Sequence, residues 1–244
     1  MVDEPATADG RHPPPTDASP KRLMREASSL ALILGLTLMV SALERRDLVP
    51  WHDYPSSLLL LALCLLHWRC FRIDLRIFRP RMRRWVFPIV FAVLLVSMLL
   101  FSARTPLSPK AGYAPSLLQL LHLIVVVPLS EELYFRGLLL EHLRRGFSAV
   151  HAVVLCTLLF GLLHLPVGAG LLAGGLSLVA CLLVLKTGSL VHAVQLHVAW
   201  NAVTQISRMG DDSSRWLWAA TASAIIAALA VGSFARRSTR DSTQ

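Results

Sequence analysis

Cysteine is scarce in this sequence. Cys64, Cys70, Cys156 and Cys181 are all there are, and they form neither a CxxC pair nor a zinc-ligand spacing, which argues against a disulfide scaffold and against a structural zinc fold. Three of the four fall in apolar stretches and read as small packing residues, so none is given a role. Charge is thin as well. Asp, Glu, Lys and Arg make up 16% of 244 residues against 55% hydrophobic, too little polar surface to cover a soluble domain of this length. No repeat at a period of roughly 20 to 50 residues is present, so a solenoid or propeller is not expected. No small-residue cleavage site follows the first apolar run, so that run is expected to be a retained helix rather than a secretory signal.

What the sequence does contain is long windows of Leu, Val, Ala and Ile, with a mean hydropathy of +0.57. A lipid-spanning helix needs about 20 mostly apolar residues. Hydropathy predicts an all-α, polytopic integral membrane bundle of about eight transmembrane helices, over residues 27–43, 55–68, 85–103, 115–140, 149–165, 168–187, 189–206 and 215–235. The second window is short and 168–187 is glycine-rich, so either is a candidate for a tilted, kinked or re-entrant segment.

Charge between the windows orients the bundle. Residues 69–84, RCFRIDLRIFRPRMRR, are dense in arginine, and short basic loops stay on the cytoplasmic side. With that loop inside, both termini are cytoplasmic, as are the Arg144–Arg145 turn and the tail carrying Arg236, Arg237 and Arg240. The net charge of +9 is then mainly a topology signal, with the lipid bilayer as the partner of its basic loops and nucleic acid a poor reading. Residues 1–26, with RHPPPTDASPKR, hold almost no large apolar side chain and read as a disordered cytoplasmic tail. The expected organisation is therefore a tail at 1–26, a membrane-embedded helical domain at 27–235 with its motif core at 115–206, and a short basic tail at 236–244.

The polar residues inside the apolar windows carry the chemistry. Glu131 and Glu132 stand side by side in LLQLLHLIVVVPLSEELYFRGLLLEHL, at a cost of ~2.5 to 3.5 kcal/mol per intramembrane charge on insertion scales, so they need a polar cavity and partners. Residues four apart share a helix face, which pairs Glu132 with Arg136, Phe160 with His164, and His197 with Asn201. Glu131 is turned by roughly 100° from Glu132. That division makes Glu132–Arg136 a structural ion pair and leaves Glu131 as the free functional group. Counted from the proposed cytoplasmic ends of their helices at 1.5 Å per residue, Glu131, His164 and Asn201 lie at depths of ~20, ~22 and ~18 Å, so three helices bring Glu, His, His and Asn to a similar level.

The strings EELYFRG, FGLLH and HVAWN resemble the three motifs of the CAAX-protease and bacteriocin-processing family, intramembrane proteases related to the type II CAAX prenyl endopeptidase. The family pattern is Glu-Glu-x-x-x-Arg, then Phe-x-x-x-His, then His-x-x-x-Asn, and every defining residue is present over residues 115–206. The resemblance implies an intramembrane endopeptidase acting on a membrane-anchored peptide or protein. In that reading Glu131 is the general base, His164 helps hold the attacking water, and His197 and Asn201 stabilise the tetrahedral oxyanion. Glu132, Arg136 and Phe160 are structural support.

Metal use stays open at this point. Glu131, His164 and His197 have the composition of a two-His, one-carboxylate zinc site, yet the soluble zinc-protease string H-E-x-x-H is missing, and a metal-free glutamate mechanism without a cofactor is preferred. Of a different class is a noncatalytic membrane protein, either a proton-coupled carrier using the same groups or an immunity or scaffold member of the family. Against a carrier, the two halves of the chain hold no matching interrupted helices. His122, His151 and His192 read as packing or interface residues. The short loops point to a multi-pass protein of a prokaryotic plasma membrane, and nothing in the sequence specifies the substrate.

Overall fold

The computed structural model describes residues 19–46, 54–71, 115–164 and 167–208. All secondary structure among them is helical: α1 Pro20–Glu44, α2 Pro55–Phe71, a long composite rod α3 running from Leu117 to Gly146, α4 Ala149–Leu162, α5 Val167–Thr187 and α6 Leu190–Arg208. The windows expected at 85–103 and 215–235 lie outside the described residues, as do most of the arginine-rich loop, residues 1–18 and the C-terminal tail. Two helices, α1 and α5, are long and apolar enough to cross a membrane; α2 and α4 are shorter apolar helices. Large apolar side chains such as Val150, Leu158, Val167 and Leu171 stand exposed on α4 and α5, as expected of surfaces that meet lipid.

Local sequence explains most of the boundaries. Ser19 caps α1 by accepting from the Arg22 amide at 3.4 Å, with Pro20 in the first turn where its missing N–H costs nothing. The helix thus opens at Pro20, and residues 20–26, expected to belong to the tail, are helical. Composition misled there because the charged face of those residues is paired rather than solvated: Glu26 is buried, with Arg22 at 3.1 Å and Arg145 of α3 at 2.7 Å. Ser116 and Gln119 form a reciprocal capping box at the start of α3. Ser148 caps α4, and α5 ends at Thr187 before Gly188, whose φ of 60° is the left-handed conformation that closes a helix.

The core is built around α3. Tyr134, Phe135, Leu138 and Leu140 of that rod pack with Leu30 and Ile33 of α1, Leu60 and Cys64 of α2, and Cys156 and Phe160 of α4. Small residues set the closest approach. A Cβ at Gly170 would stand 2.7 Å from the Gly161 carbonyl oxygen, and one at Gly161 would stand 2.9 Å from the Gly170 oxygen. Close backbone contact through small residues is how helices associate in lipid, where apolar burial gives little drive. The α4–α5 hairpin is therefore tight at the end that carries His164.

Candidate active site

Rod α3 is not a uniform α-helix. It contains two π-helical stretches, His122–Val126 and Leu133–Leu139, on either side of the α-turn Val127–Glu132 that carries both carboxylates. The first has a cause in the sequence. Pro128 has no N–H, so Ile124 cannot make its i→i+4 bond, and the Val127 amide bonds the His122 carbonyl five residues back. The Leu123 carbonyl is left without either of the amides that would close it. The Asn201 side chain of α6 fills that role, donating from Nδ2 at 2.8 Å. In the second stretch the Leu140 amide reaches back five residues to the Phe135 carbonyl, which also accepts from the Cys156 thiol at 3.3 Å.

Glu132 and Arg136 are both fully buried and lie 2.8 Å apart. The same Glu132 Oε1 accepts from His197 Nδ1 at 2.9 Å. Arginine, carboxylate and imidazole thus form one line across α3 and α6, and Glu132 orients the His197 ring as well as pairing with Arg136. Arg136 also lies over the Phe160 ring at 4.5 Å from its centroid, a cation–π contact that stands in for water around a buried guanidinium.

His164 sits just past the end of α4, not inside a helix running to 165. Its backbone N–H closes a tight turn onto the Gly161 carbonyl at 3.1 Å, and Pro166 two residues on disfavours further helix. Its Nδ1 faces the Phe160 carbonyl at 2.7 Å, and the ring stacks on Phe160 at 4.4 Å. Phe160 is edge-on to His197 at 5.9 Å, so one aromatic ring buttresses both imidazoles.

These partners assign the tautomers. A carbonyl and a carboxylate only accept, so the Nδ1 of His164 and of His197 each carries a proton and each neutral ring has a bare Nε2. Both Nε2 atoms face Glu131 Oε2, at 3.9 Å from His164 and 3.8 Å from His197. That oxygen is buried without a hydrogen-bond partner in the protein. With both rings neutral and the carboxylate ionised, three acceptors from α3, the end of α4 and α6 converge. Such a set binds whatever brings protons or positive charge: a water donating both O–H groups, a proton held on one imidazole, or a cation.

The chemistry of this donor set suits zinc, since each histidine has an outer partner on Nδ1 and a bare Nε2. To hold zinc the three groups would have to draw together by roughly half an ångström, since ligand atoms ~2.0–2.1 Å from a tetrahedral ion lie about 3.4 Å apart and both Nε2 atoms now stand 3.8 and 3.9 Å from Glu131 Oε2. The structure brings Glu131, His164 and His197 together, with Glu132, Arg136 and Phe160 packed behind them. Asn201, one turn beyond His197, is held on Leu123. The buried cysteines stay free thiols, and the exposed Cys70 with them.

Residues 113–203 match the family model described as Type II CAAX prenyl endopeptidase Rce1-like. The match contains every motif residue from Glu131 to Asn201 and all of α3, α4 and α5, and it leaves α1 and α2 outside. No curated protein and no solved structure matches the chain. The Rce1-like match points to a protease of the CAAX-protease and bacteriocin-processing type, and together with the apolar helices it points to a membrane setting and a peptide or protein substrate. Two features of the Rce1-like segment escape a reading by motif alone. The Glu132–His197 bond joins residues 65 apart, which no local pattern encodes. The π-stretch did have a signal, Pro128 inside an apolar helix.

Proposed function

We propose that the protein is an intramembrane endopeptidase of the glutamate type, hydrolysing a peptide bond of a membrane-anchored protein or peptide. The observation that carries this reading is the convergence of Glu131 Oε2 with the Nε2 atoms of two histidines from two other helices. A water between Glu131 and His164 loses a proton to the carboxylate and attacks the scissile carbonyl. His197, when protonated on Nε2, donates to the oxyanion, its ring held in place by the Glu132 carboxylate on Nδ1. Asn201 adds a neutral donor through the amide N–H that Leu123 does not use. Glu131 then returns its proton to the leaving amine, which balances the reaction. No step runs through a metal.

The surroundings proposed for this centre are a bundle of about eight spans with both termini cytoplasmic, in a prokaryotic plasma membrane, with a tail ahead of α1 and the motif core at 115–206. The test is cleavage of a panel of membrane-anchored reporter peptides by purified protein in detergent, beside Glu131→Gln, with and without a zinc chelator. Cleavage that depends on Glu131 and ignores chelator supports the glutamate mechanism. Loss of activity on chelation moves the mechanism to zinc, and a folded wild type that cleaves nothing favours a noncatalytic carrier or scaffold.

A further inference from the structure

Pro128 has no place in the motif chemistry, yet its effect ends at a motif residue. The chain of contacts is short. Pro128 supplies no amide, the Val127 amide is committed to His122, and the Leu123 carbonyl between α3 and α6 accepts from Asn201 Nδ2 at 2.8 Å. The start of the same stretch is braced from α2: Ser57 and His122 Nε2 are 2.7 Å apart, both residues are buried, and the Tyr54 ring lies 4.5 Å from the His122 ring. The π-stretch is therefore pinned at its outer end, and its freed carbonyl faces α6.

We propose that Pro128 is a positioning residue for the reaction: by freeing the Leu123 carbonyl it fixes which way the Asn201 amide faces. A carboxamide has a donor end and an acceptor end of nearly the same shape. Only the nitrogen can face a carbonyl, so the Leu123 bond holds the –NH2 group in one orientation and leaves its second N–H for the oxyanion. Without that bond the side chain is free to turn its oxygen toward the developing negative charge, which is repulsive. This use of Asn201 rests on the peptidase reading above; the physical link between Pro128, Leu123 and Asn201 does not.

A double-variant cycle of Pro128→Ala and Asn201→Ala tests both parts in the full-length protein in detergent. Alanine at 128 restores the missing amide, lets the ladder close in α register and removes the need for Asn201. Asn201→Ala is expected to lower Tm by roughly 4 °C in the native background, the effect of a buried carbonyl left unsatisfied, and by no more than about 1 °C beside Pro128→Ala. In peptide cleavage, Pro128→Ala is expected to lower kcat by at least about tenfold with little change in KM, and the double variant to be no slower than Asn201→Ala. Equal Tm losses in the two backgrounds, or single effects on kcat that multiply, overturn the proposal. Should Pro128→Ala fail to insert, Asn201→Leu fills the same space without a donor and must still lower Tm; an unchanged Tm refutes the link. The Tm cycle needs no substrate, so it decides the placement even if no peptide in the panel is cleaved, a result that counts against the peptidase reading alone.

Discussion

At the scale of single residues, the two adjacent glutamates separate cleanly by their neighbours. Glu131→Gln is expected to abolish peptide cleavage while leaving the circular-dichroism spectrum and Tm close to wild type, because Glu131 has no hydrogen-bonded partner on its Oε2 to lose. Glu132→Ala is different. It leaves Arg136 buried and unpaired, at a cost of about 3 to 5 kcal/mol, and it strips His197 of its Nδ1 partner. Replacing Glu132 and Arg136 together by Met and Leu should recover most of the lost Tm but no activity, which distinguishes the orienting role of Glu132 from its ion pair. Helical spacing made the Glu132–Arg136 pair and the Phe160–His164 stack legible in the sequence. It could not supply the bond from Glu132 to His197, since that contact depends on how α6 docks against α3.

At the scale of elements, six of the expected windows coincide with α1 to α6, because apolar run length is a local property, although α1 opens seven residues before its window and α3 ends six residues after it. The interior of α3 was not legible in that way. An apolar helix with one proline reads as a helix with a kink, whereas the chain resolves the missing amide by the π-stretch at His122–Val126 and a side chain borrowed from α6. The α4–α5 hairpin makes its own prediction. Gly170→Val places a branched side chain where a Cβ alone would meet the Gly161 oxygen at 2.7 Å, so the helices must separate at the turn that seats His164. Cleavage should fall by at least about tenfold, since misplacement of a reacting group by even ~1 Å is costly, and Tm should fall with it. A Gly174→Ala control, where a Cβ meets nothing within 4 Å, should leave both unchanged.

At the scale of the whole molecule, composition pointed to a membrane protein, and three ordered motifs picked out residues that the structure brings together. How α1 attaches to the motif core was not readable, because the contacts join distant parts of the chain. The Tyr134 hydroxyl donates to the Leu30 carbonyl at 2.9 Å, and Arg145 and His142 of α3 reach Glu26 at 2.7 and 3.5 Å. Breaking the attachment at one point should cost stability without touching the centre. Glu26→Gln and Tyr134→Phe are each expected to lower Tm in detergent by a few degrees, as about 1 kcal/mol does in a chain of this size, while kcat at temperatures well below Tm stays within about twofold of wild type.

Glu26 also has a history that its final contacts conceal. It leaves the ribosome 119 residues before Arg145, an interval on the order of 10 seconds at elongation rates of ~5 to 20 residues per second. During that interval α1 must enter the bilayer edge with an acidic side chain whose eventual partner does not yet exist. Arg22, one turn earlier on the same helix, is made before Glu26 and already lies within reach of it, at 3.1 Å in the finished protein. The local pair therefore needs no exchange when α3 arrives: Arg22 stays on one carboxylate oxygen and Arg145 takes the other.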